Sequence, residues 1–411
     1  MKDGDQDFFA RRGEIPALAR VHSGHKLAYL DGPAGTQVPQ QVIDAIAHYY
    51  VNCNANAHGY FVTAQESDRI VADARTAMAV FLNAESDANI SFGANMTTLC
   101  FSLSKGIARS LKPGDEILIT RLDHEANRGP WLALRENDIE IREVDVLDNG
   151  TLDYEDFRRK ISARTRLVAM GMSSNAFGTV NDVQRVREWT READVWLLVD
   201  AVHYAPHFAI DVRALDVDFL LCSAYKFYGP HVGVLYARTG LLDRIQTDCL
   251  ITQEQEAPFR IETGTLNHAA IAGVKAAVEY IATFGEGNDF RARLVTAMKR
   301  IATHEHTLAE RLYDGLGDIA GVTVYGPDFE SAHRAPTVSF TVEGKDPVET
   351  CKRLAEKGIC AWDGHFYAIT PLKALGLMEG GGVTRLGVSL YNTEDEIGRV
   401  LKTVAEIASG N

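Results

Sequence analysis

The sequence predicts an α/β fold in which a large domain, built on a mostly parallel seven-stranded sheet, precedes a smaller α+β C-terminal domain. Seven short apolar runs alternate with segments of helical length between residues 88 and 240. Mainly apolar strands separated by helices are typical of a parallel sheet that is covered on both faces. Beyond about residue 320, shorter strand-like runs mix with helices. A chain of 411 residues also exceeds the usual size of a single core, which favours two domains.

Each element is predicted in turn from the spacing of its apolar residues. Pro39 suits the first turn of the first helix, where proline is tolerated. Helices are predicted over 39–51, 66–82, 97–111, 266–284, 294–316, 347–356 and 393–407. Strands are predicted over 88–92, 116–120, 139–144, 165–170, 195–200, 219–222, 233–236, 322–325 and 337–342. The pattern changes near residues 285–288, so we expect a large domain of residues 20–287 and a smaller one of residues 288–411, on which residues 1–19 pack.

Composition and charge exclude several classes of protein. Apolar residues make up 46% of the chain and charged residues 24%, as in folded globular proteins. The net charge of -14 argues against nucleic acid or an anionic membrane as partner, because both favour a basic surface. The chain has no apolar run of transmembrane length and no N-terminal secretory signal, so we expect a cytoplasmic protein. Six cysteines without CxxC spacing indicate reduced thiols, mostly in the core, and we expect no metal site.

Two residues of chemical interest follow neighbouring predicted strands. Asp200 ends the run 195–200, and Lys226 comes shortly after the run 219–222. Ligands collect at the carboxyl ends of parallel strands, so we expect both side chains at one edge of the sheet. A lysine that forms a Schiff base and a carboxylate that keeps a pyridine nitrogen protonated are what pyridoxal 5'-phosphate (PLP) requires. The sequence therefore predicts a PLP site, with a phosphate cup where a helix opens at Asn95, Met96 and Thr97.

Seven motifs then occur in an order that resembles one known family. The motifs are Tyr29-Leu30-Asp31, Asp123-His124-Glu125-Ala126-Asn127, Ser174-Asn175-Ala176-Phe177-Gly178-Thr179, Val199-Asp200, Lys226-Phe227-Tyr228-Gly229-Pro230, Gly264-Thr265-Leu266-Asn267, and Arg385 with Tyr391-Asn392-Thr393. They resemble the class V aminotransferase-fold PLP enzymes, in the cysteine desulfurase-like branch near the selenocysteine lyases. The resemblance implies the PLP-dependent transferase type I fold and a homodimer with shared active sites.

The resemblance also implies a role for individual residues. Lys226 would carry the cofactor and then shuttle a proton, and His124 would stack on the cofactor ring and assist proton transfer. Arg385 would grip the α-carboxylate of an amino-acid substrate with its guanidinium fork. His365 and His58 are expected on the substrate side, although His58 is equally a candidate for a plain loop residue. The remaining cofactor contacts are Asp200 at the pyridine nitrogen, Asn175 at the phenolic oxygen, Thr97 and Ser223 at the phosphate, and Thr265 at the phosphate of the neighbouring subunit. His203 stands where relatives usually carry a glutamine at the phenolic oxygen. Tyr225 stands where relatives often carry a phosphate-binding histidine, and its hydroxyl is able to donate there.

One departure from the family concerns the loop at residues 362–368. Desulfurases of this branch carry a cysteine there that accepts sulfur as a persulfide, and Tyr367 takes its place here. A phenol with a pKa of about 10 does not accept sulfur as a thiolate does. Tyr367 is therefore a candidate for proton transfer only. Cys360, seven residues upstream, is either a replacement nucleophile or a core residue.

The predicted function is cleavage of the Cβ–S bond of a cysteine-like amino acid, by a desulfurase or by a C–S β-lyase. An alternative is a class V aminotransferase or an amino-acid epimerase acting on another substrate. A third hypothesis, a non-catalytic PLP-fold binding protein, would need an added partner-binding segment that the chain lacks. One further expectation concerns His304-Glu305-His306, which we interpret as a solvated polar face of a long helix.

Overall fold

The computed structural model describes residues 8–410, and its centre is a seven-stranded sheet. The strands are β1 (Ile90–Gly93), β2 (Glu116–Thr120), β3 (Glu140–Val144), β4 (Thr165–Gly171), β5 (Trp196–Asp200), β6 (Phe219–Ser223) and β7 (Gly233–Ala237). Their order across the sheet is β1-β7-β6-β5-β4-β2-β3. Strands β2 to β6 pair in parallel, and β7 runs antiparallel to both β1 and β6. The prediction of a mostly parallel seven-stranded sheet is confirmed.

The apolar runs form strands because the sheet is buried on both faces. Successive side chains of a strand point to opposite faces. Val199 accordingly packs in one apolar cluster and its neighbour Leu198 in a second cluster on the other side. Leu220 and Leu221 of β6 divide in the same way. A strand covered twice has little room for polar residues before its end, which is why Asp200 and Ser223 stand at the last positions of β5 and β6.

Helices cover this sheet, and the four that were predicted in this part of the chain agree with the structure to within four residues. The helices span Gln40–His48, Val62–Leu82, Met96–Ala108, Gly129–Leu132, Tyr154–Lys160, Val183–Glu192, Val212–Leu215 and His268–Ala282. The first continues into one turn of π-helix over Tyr49–Cys53, and the second begins four residues before its predicted start at residue 66. The segment Val62 to Gln65 lacks the apolar spacing on which that prediction depended.

The C-terminal part of the chain forms a separate four-stranded antiparallel sheet. Its strands are β8 (Val322–Tyr325), β9 (Thr337–Val342), β10 (Trp362–Gly364) and β11 (Val383–Gly387), in the order β8-β9-β11-β10. The helices around it are Phe290–Gly317, Pro347–Glu356, Ile369–Ala374 and Glu394–Ala408. Leu308, Phe340 and Val400 pack in its core. The α+β character predicted for this part is confirmed.

The N-terminal segment contacts both parts of the molecule. Ala28–Tyr29 pairs in parallel with Ile359–Cys360, and Leu30 packs in the core of the smaller sheet. Phe8, in contrast, packs in the main cluster of the large sheet. The division at residues 287 and 288 stays a prediction. Residues 1–7, which we expected to pack on the smaller domain and to carry no secretory signal, lie outside the described residues.

The expectation of a solvated face at His304-Glu305-His306 is wrong. His304 and Glu305 are buried in the long helix Phe290–Gly317, and only His306 is substantially exposed. The same helix buries Ile301 and Leu308, one turn to either side. Residues three and four apart share a face of a helix. The apolar neighbours therefore place Glu305 on the inner face, and its charge alone was a poor guide.

The cysteines follow the sequence-based expectation. All six are free thiols; Cys53, Cys100, Cys222 and Cys351 are buried, and the other two are partly exposed. Within residues 8–410, no helix combines the length and the apolar character needed to cross a bilayer.

Candidate active site

A cavity opens at the carboxyl ends of the central strands, as the sequence predicted. Asp200 ends β5, and Lys226 lies in a 3-10 turn, Ala224–Lys226, directly after β6. Both residues are buried and both line the cavity. The complete lining is Asn95, Met96, Thr97, Asp123, His124, Ala126, Gly171, Ser173, Asn175, Asp200, Val202, His203, Ser223, Tyr225 and Lys226. Ten predicted site residues thus come together around one space.

Lys226 carries an amine that is easily deprotonated. Its Nζ donates a hydrogen bond to the carbonyl oxygen of Pro33. Burial, and then the charge of Arg385, lower the pKa of Lys226 to about 7, against the opposing effect of Asp31 and Asp200. Because only the neutral amine is a nucleophile, this environment prepares Lys226 for attack on a carbonyl group near neutral pH.

Two carboxyl groups share the cavity with the lysine. Burial raises the pKa of Asp200 to about 7, and its Oδ1 accepts a hydrogen bond of 2.9 Å from the backbone of Val202. Burial also raises the pKa of Asp123 to about 6, although Gly171 N and Asn127 Nδ2 donate to it. Sequence reasoning did not propose Asp123 as a site residue. Its position just after β2, at the same edge as Asp200, was the available signal.

His124 is held as a neutral imidazole. Burial is the main cause that lowers its pKa to about 3, and the charges of Lys226 and Arg385 add to it. Its Nδ1 accepts a hydrogen bond of 3.0 Å from the backbone of Ala126. In a neutral imidazole one nitrogen accepts and the other carries the proton. His124 therefore carries its proton on Nε2.

Asn175 and His203 each leave one buried polar atom without a partner. Asn175 donates from Nδ2 to the carbonyl oxygen of Phe366, at 3.0 Å, while its Oδ1 makes no hydrogen bond within the described part of the chain. His203 Nε2 lies 3.0 Å from Thr337 Oγ1, while its Nδ1 is likewise without a partner there. Buried polar atoms are normally paired, so these two indicate a ligand in the cavity.

Part of the cavity lining is the start of a helix, which suits an anion. The helix Met96–Ala108 begins there, with Met96 N donating to Ser223 Oγ at 3.0 Å. The start of the helix lies tightly against β7, because a Cβ at Gly233 would come within 2.3 Å of the carbonyl carbon of Asn95. Free backbone N–H groups and the helix dipole attract negative charge at such a position. Thr97 and Tyr225 also line the cavity.

Arg385 in β11 lies close to the cavity but is engaged by other groups. Its Nη2 is 3.2 Å from Asp31 Oδ1, and its Nη1 donates to the carbonyl oxygen of Asn175 at 3.1 Å. The guanidinium also lies 4.1 Å from the centre of the Phe366 ring. The pairing with Asp31 was not foreseen, because residues so distant in sequence carry no local signal of contact.

The loop at residues 362–368 packs over the same region. Tyr367 is 68% exposed and does not line the cavity, but its ring centre lies 5.6 Å from that of His124. Its carbonyl oxygen accepts a hydrogen bond of 2.7 Å from Glu125 N. His365 Nδ1 accepts from Tyr367 N and also stays outside the cavity lining. The loop therefore places Tyr367 beside His124, with its side chain largely in solvent.

Two predicted residues lie elsewhere in this chain. His58 and Thr265 are both exposed, and both line a second cavity that does not contain Lys226. The six cysteines, all described, are also absent from the lining of the Lys226 cavity. Cys360 instead borders a third cavity, near Tyr29. Burial raises the pKa of the Cys360 thiol, which disfavours the thiolate.

A buried lysine, a carboxylate on the adjacent strand and a helix start at the end of a mostly parallel sheet define an α/β protein with a candidate ligand site at the carboxyl edge of the sheet. The family model described as aminotransferase class-V matches residues 28–400. The chain belongs to this family, and the resemblance to its cysteine desulfurase-like branch is confirmed.

Individual relatives agree with this assignment. A cysteine desulfurase from Serratia proteamaculans is 32% identical over 412 residues, which cover 96% of this chain and 97% of that protein. A probable cysteine desulfurase from Mycolicibacterium paratuberculosis is 33% identical over 98% of this chain, but over only 58% of its own length. The apo structure of a cysteine desulfurase from Thermococcus onnurineus is similar with a TM-score of 0.88 at 27% identity, covering 98% of both chains. The type I fold is thereby confirmed.

Proposed function

We propose that this protein is a PLP-dependent enzyme that cleaves the Cβ–S bond of a cysteine-like amino acid. The observation that carries the proposal is the pairing of Lys226 with Asp200 in one buried cavity, at the ends of adjacent strands. A lysine with a pKa near 7 and a buried carboxylate are the two groups that PLP needs. The similarity to proteins named cysteine desulfurases supports the choice of bond.

The residues around the cavity fit the cofactor. Asp200 is a buried carboxylate without a hydrogen-bonded cation among residues 8–410, and a pyridinium nitrogen would supply one. Asn175 Oδ1 and His203 Nδ1 are unpaired polar atoms that would face polar groups of the ring. The helix start at Met96, with Thr97 and Ser223, suits the phosphate. Lys226 would carry the cofactor between turnovers, and the cofactor would supply an electron sink for the substrate Cα.

The remaining groups act on the substrate. The Arg385 fork binds the α-carboxylate, which must compete with Asp31 for the guanidinium. Lys226, once its amine is free, takes the proton from Cα, and a pKa near 7 suits an acid–base group at neutral pH. His124 contributes an N–H donor at Nε2. Tyr367, beside His124, is proposed to assist proton transfer.

We propose β-elimination as the outcome, because the cavity contains no thiol to accept sulfur. Tyr367 stands where relatives carry the accepting cysteine, and Cys360 borders a different cavity. In an elimination, Lys226 removes the Cα proton, and the Cβ–S bond breaks with its electron pair on sulfur. Addition of water then gives pyruvate and ammonia, so that cysteine and water are converted to pyruvate, ammonia and sulfide.

A homodimer would complete the site. His58 and Thr265 share a cavity that is separate from Lys226 in this subunit, in keeping with a contribution to a partner's site. Large apolar side chains are exposed near that cavity, among them Tyr60 and Ile251 at 99% exposure. Exposed apolar patches of this kind mark protein interfaces.

The free thiols support a reducing compartment such as the cytoplasm.

The test is product analysis of the PLP-loaded protein with L-cysteine and with L-cystine, scoring pyruvate, alanine and sulfide. Pyruvate with sulfide or persulfide is the expected result. Alanine would refute elimination and require a thiol acceptor. If neither product forms, the proposal is refuted in favour of another reaction of the family. Full turnover in Lys226→Ala would refute the assignment as a PLP enzyme altogether. Circular dichroism of Lys226→Ala controls for folding.

A further inference from the structure

Behind the cavity, three buried polar residues form a chain that reaches the long helix Phe290–Gly317. His203 and His207 lie four residues apart in the turns after β5, and Glu305 lies in the middle of the helix. His207 Nδ1 donates to Glu305 Oε2 at 2.8 Å. The rings of His203 and His207 are nearly perpendicular, with centres 5.3 Å apart. Glu305 therefore orients His207 through a hydrogen bond, and the ring of His207 packs edge-on against the ring of His203.

The chain is fully enclosed and incompletely paired. His203, His207 and Glu305 are 4%, 2% and 1% exposed. In the described part of the protein, His203 Nδ1 and His207 Nε2 make no hydrogen bond. A native core seldom keeps polar atoms in this state without a functional reason. Of the three residues, only His203 lines the Lys226 cavity.

The hydrogen bond to Thr337 determines which nitrogen of His203 carries the proton. Burial keeps His203 neutral by lowering its pKa well below the usual value, and the positive charges of Lys226 and Arg385 act in the same direction. Thr337 is completely buried, and within residues 8–410 the only hydrogen bond of its hydroxyl is with His203 Nε2. The hydroxyl proton is best placed on that bond, so Nε2 accepts. His203 then carries its own proton on Nδ1, the atom left unpaired.

We propose that Glu305, acting through His207, positions His203 so that its Nδ1–H donates a hydrogen bond to the phenolic oxygen of the cofactor. The inference rests on the proposed function, because it requires PLP in the cavity. Glu305 and His207 are positioning residues and touch neither cofactor nor substrate. Because Glu305 belongs to the helix Phe290–Gly317, the orientation of His203 depends on how that helix packs against the turns after β5 that carry His207.

The proposal predicts a direction of change for the bound cofactor. Negative charge on the phenolic oxygen stabilises the proton on the nitrogen that joins the cofactor to Lys226. A donor on that oxygen withdraws charge and weakens this stabilisation. Loss of the His203 hydrogen bond should therefore raise the pH at which the absorbance of the lysine-bound cofactor changes. The expected shift is about 0.5 to 1 pH unit, the size that one hydrogen bond gives.

The experiment is a spectroscopic pH titration of the PLP-loaded protein in a double-mutant cycle. Glu305→Leu/His207→Phe replaces the whole pair with apolar groups of similar shape, a change that buried pairs tolerate. This variant should raise the midpoint, and His203→Leu should raise it at least as much. The two changes together should shift it no further than His203→Leu alone, because both act through one hydrogen bond. Additive shifts, or an unchanged midpoint in the pair variant, would overturn the proposal.

Two further variants complete the design. If the pair variant does not fold, Glu305→Gln takes its place in the titration. This variant keeps the shape of the side chain and should shift the midpoint in the same direction by a smaller amount. The matched control is Glu396→Gln, since Glu396 is also a buried carboxylate of the smaller domain but pairs with Arg12 away from the cavity. It should lower the melting temperature and leave the midpoint unchanged. A wild-type protein without lysine-bound cofactor absorbance would refute the proposed function itself, whereas a normal wild type with unshifted variants would refute only the positioning role.

Discussion

The buried pair of Arg385 and Asp31 leads to a measurable effect on substrate affinity. Asp31→Asn removes the charge that now engages the guanidinium, at 3.2 Å, in a site where both side chains are less than one-tenth exposed. Breaking one partner of a buried ion pair costs about 3 to 5 kcal/mol, because the other charge is left without a counterion. The substituted protein should therefore be less stable than the wild type when no substrate is bound.

A substrate carboxylate restores the missing charge and regains part of this free energy. If half of about 3 kcal/mol returns on binding, affinity increases about tenfold, since 1.4 kcal/mol corresponds to a factor of ten. We expect KM for the amino acid to fall by about that factor in Asp31→Asn. The substrate should also raise the melting temperature of the variant more than that of the wild type.

The assay is steady-state kinetics combined with thermal unfolding at several substrate concentrations. The matched control is Glu116→Gln, because Glu116 is equally buried and pairs with Arg164, but lies at the amino end of β2, away from the cavity. It should lose stability without any change in KM. An unchanged or increased KM in Asp31→Asn would refute the idea that substrate and Asp31 compete for Arg385.

Three further predictions concern the titrating groups and the loop. In the cofactor-free protein, Lys226 holds fewer protons than in the unfolded chain between pH 7 and 10.5. The free energy of unfolding of the wild type, relative to that of Lys226→Met, should therefore rise with pH across that range. Urea denaturation at several pH values measures this difference. Asp200 should affect stability in the opposite direction, because its pKa is raised from 3.8 to about 7 and the free energy of unfolding falls with pH between these values. The penalty of burying its charge is complete above pH 7. Asp200→Asn should therefore stabilise the cofactor-free protein above pH 7 while abolishing activity. Tyr367→Cys places a thiol beside His124 and should divert product from pyruvate to alanine. Tyr367→Phe should slow turnover, because it removes the phenol proposed to transfer a proton. An unchanged rate in Tyr367→Phe would show that the ring of Tyr367 only fills space in the loop.

Much of the fold was readable because burial on both faces leaves a strong local pattern. A strand covered twice is apolar along its length and ends at a polar residue, so Asp200 and the start of the Lys226 segment marked the edge of the sheet directly. The helix start at Met96 was predictable from another local signal, a turn followed by apolar residues at helical spacing. These residues needed no knowledge of distant contacts.

Charge and polarity were poor predictors of burial where the neighbours of a residue come from a distant part of the chain. Glu305 looked like a surface residue until the turn carrying His207 packed against its helix. The order of residues in the chain likewise gave no reason to pair Asp31 with Arg385. Local sequence does not encode which helix faces which strand, and polar partners are found only after the chain closes on itself.

The sequence by itself determined the α/β class, the seven apolar strands, the family and the candidate residues for a PLP site, because each depends on short-range pattern or on chemical identity. Only the tertiary structure decided that Asp123 shares the cavity, that Asp31 pairs with Arg385, and that His58 and Thr265 line a different cavity from Lys226. The physical reason is that burial and electrostatic environment are properties of the packed molecule. A carboxylate or an imidazole acquires its pKa and its role from neighbours that are distant in the chain.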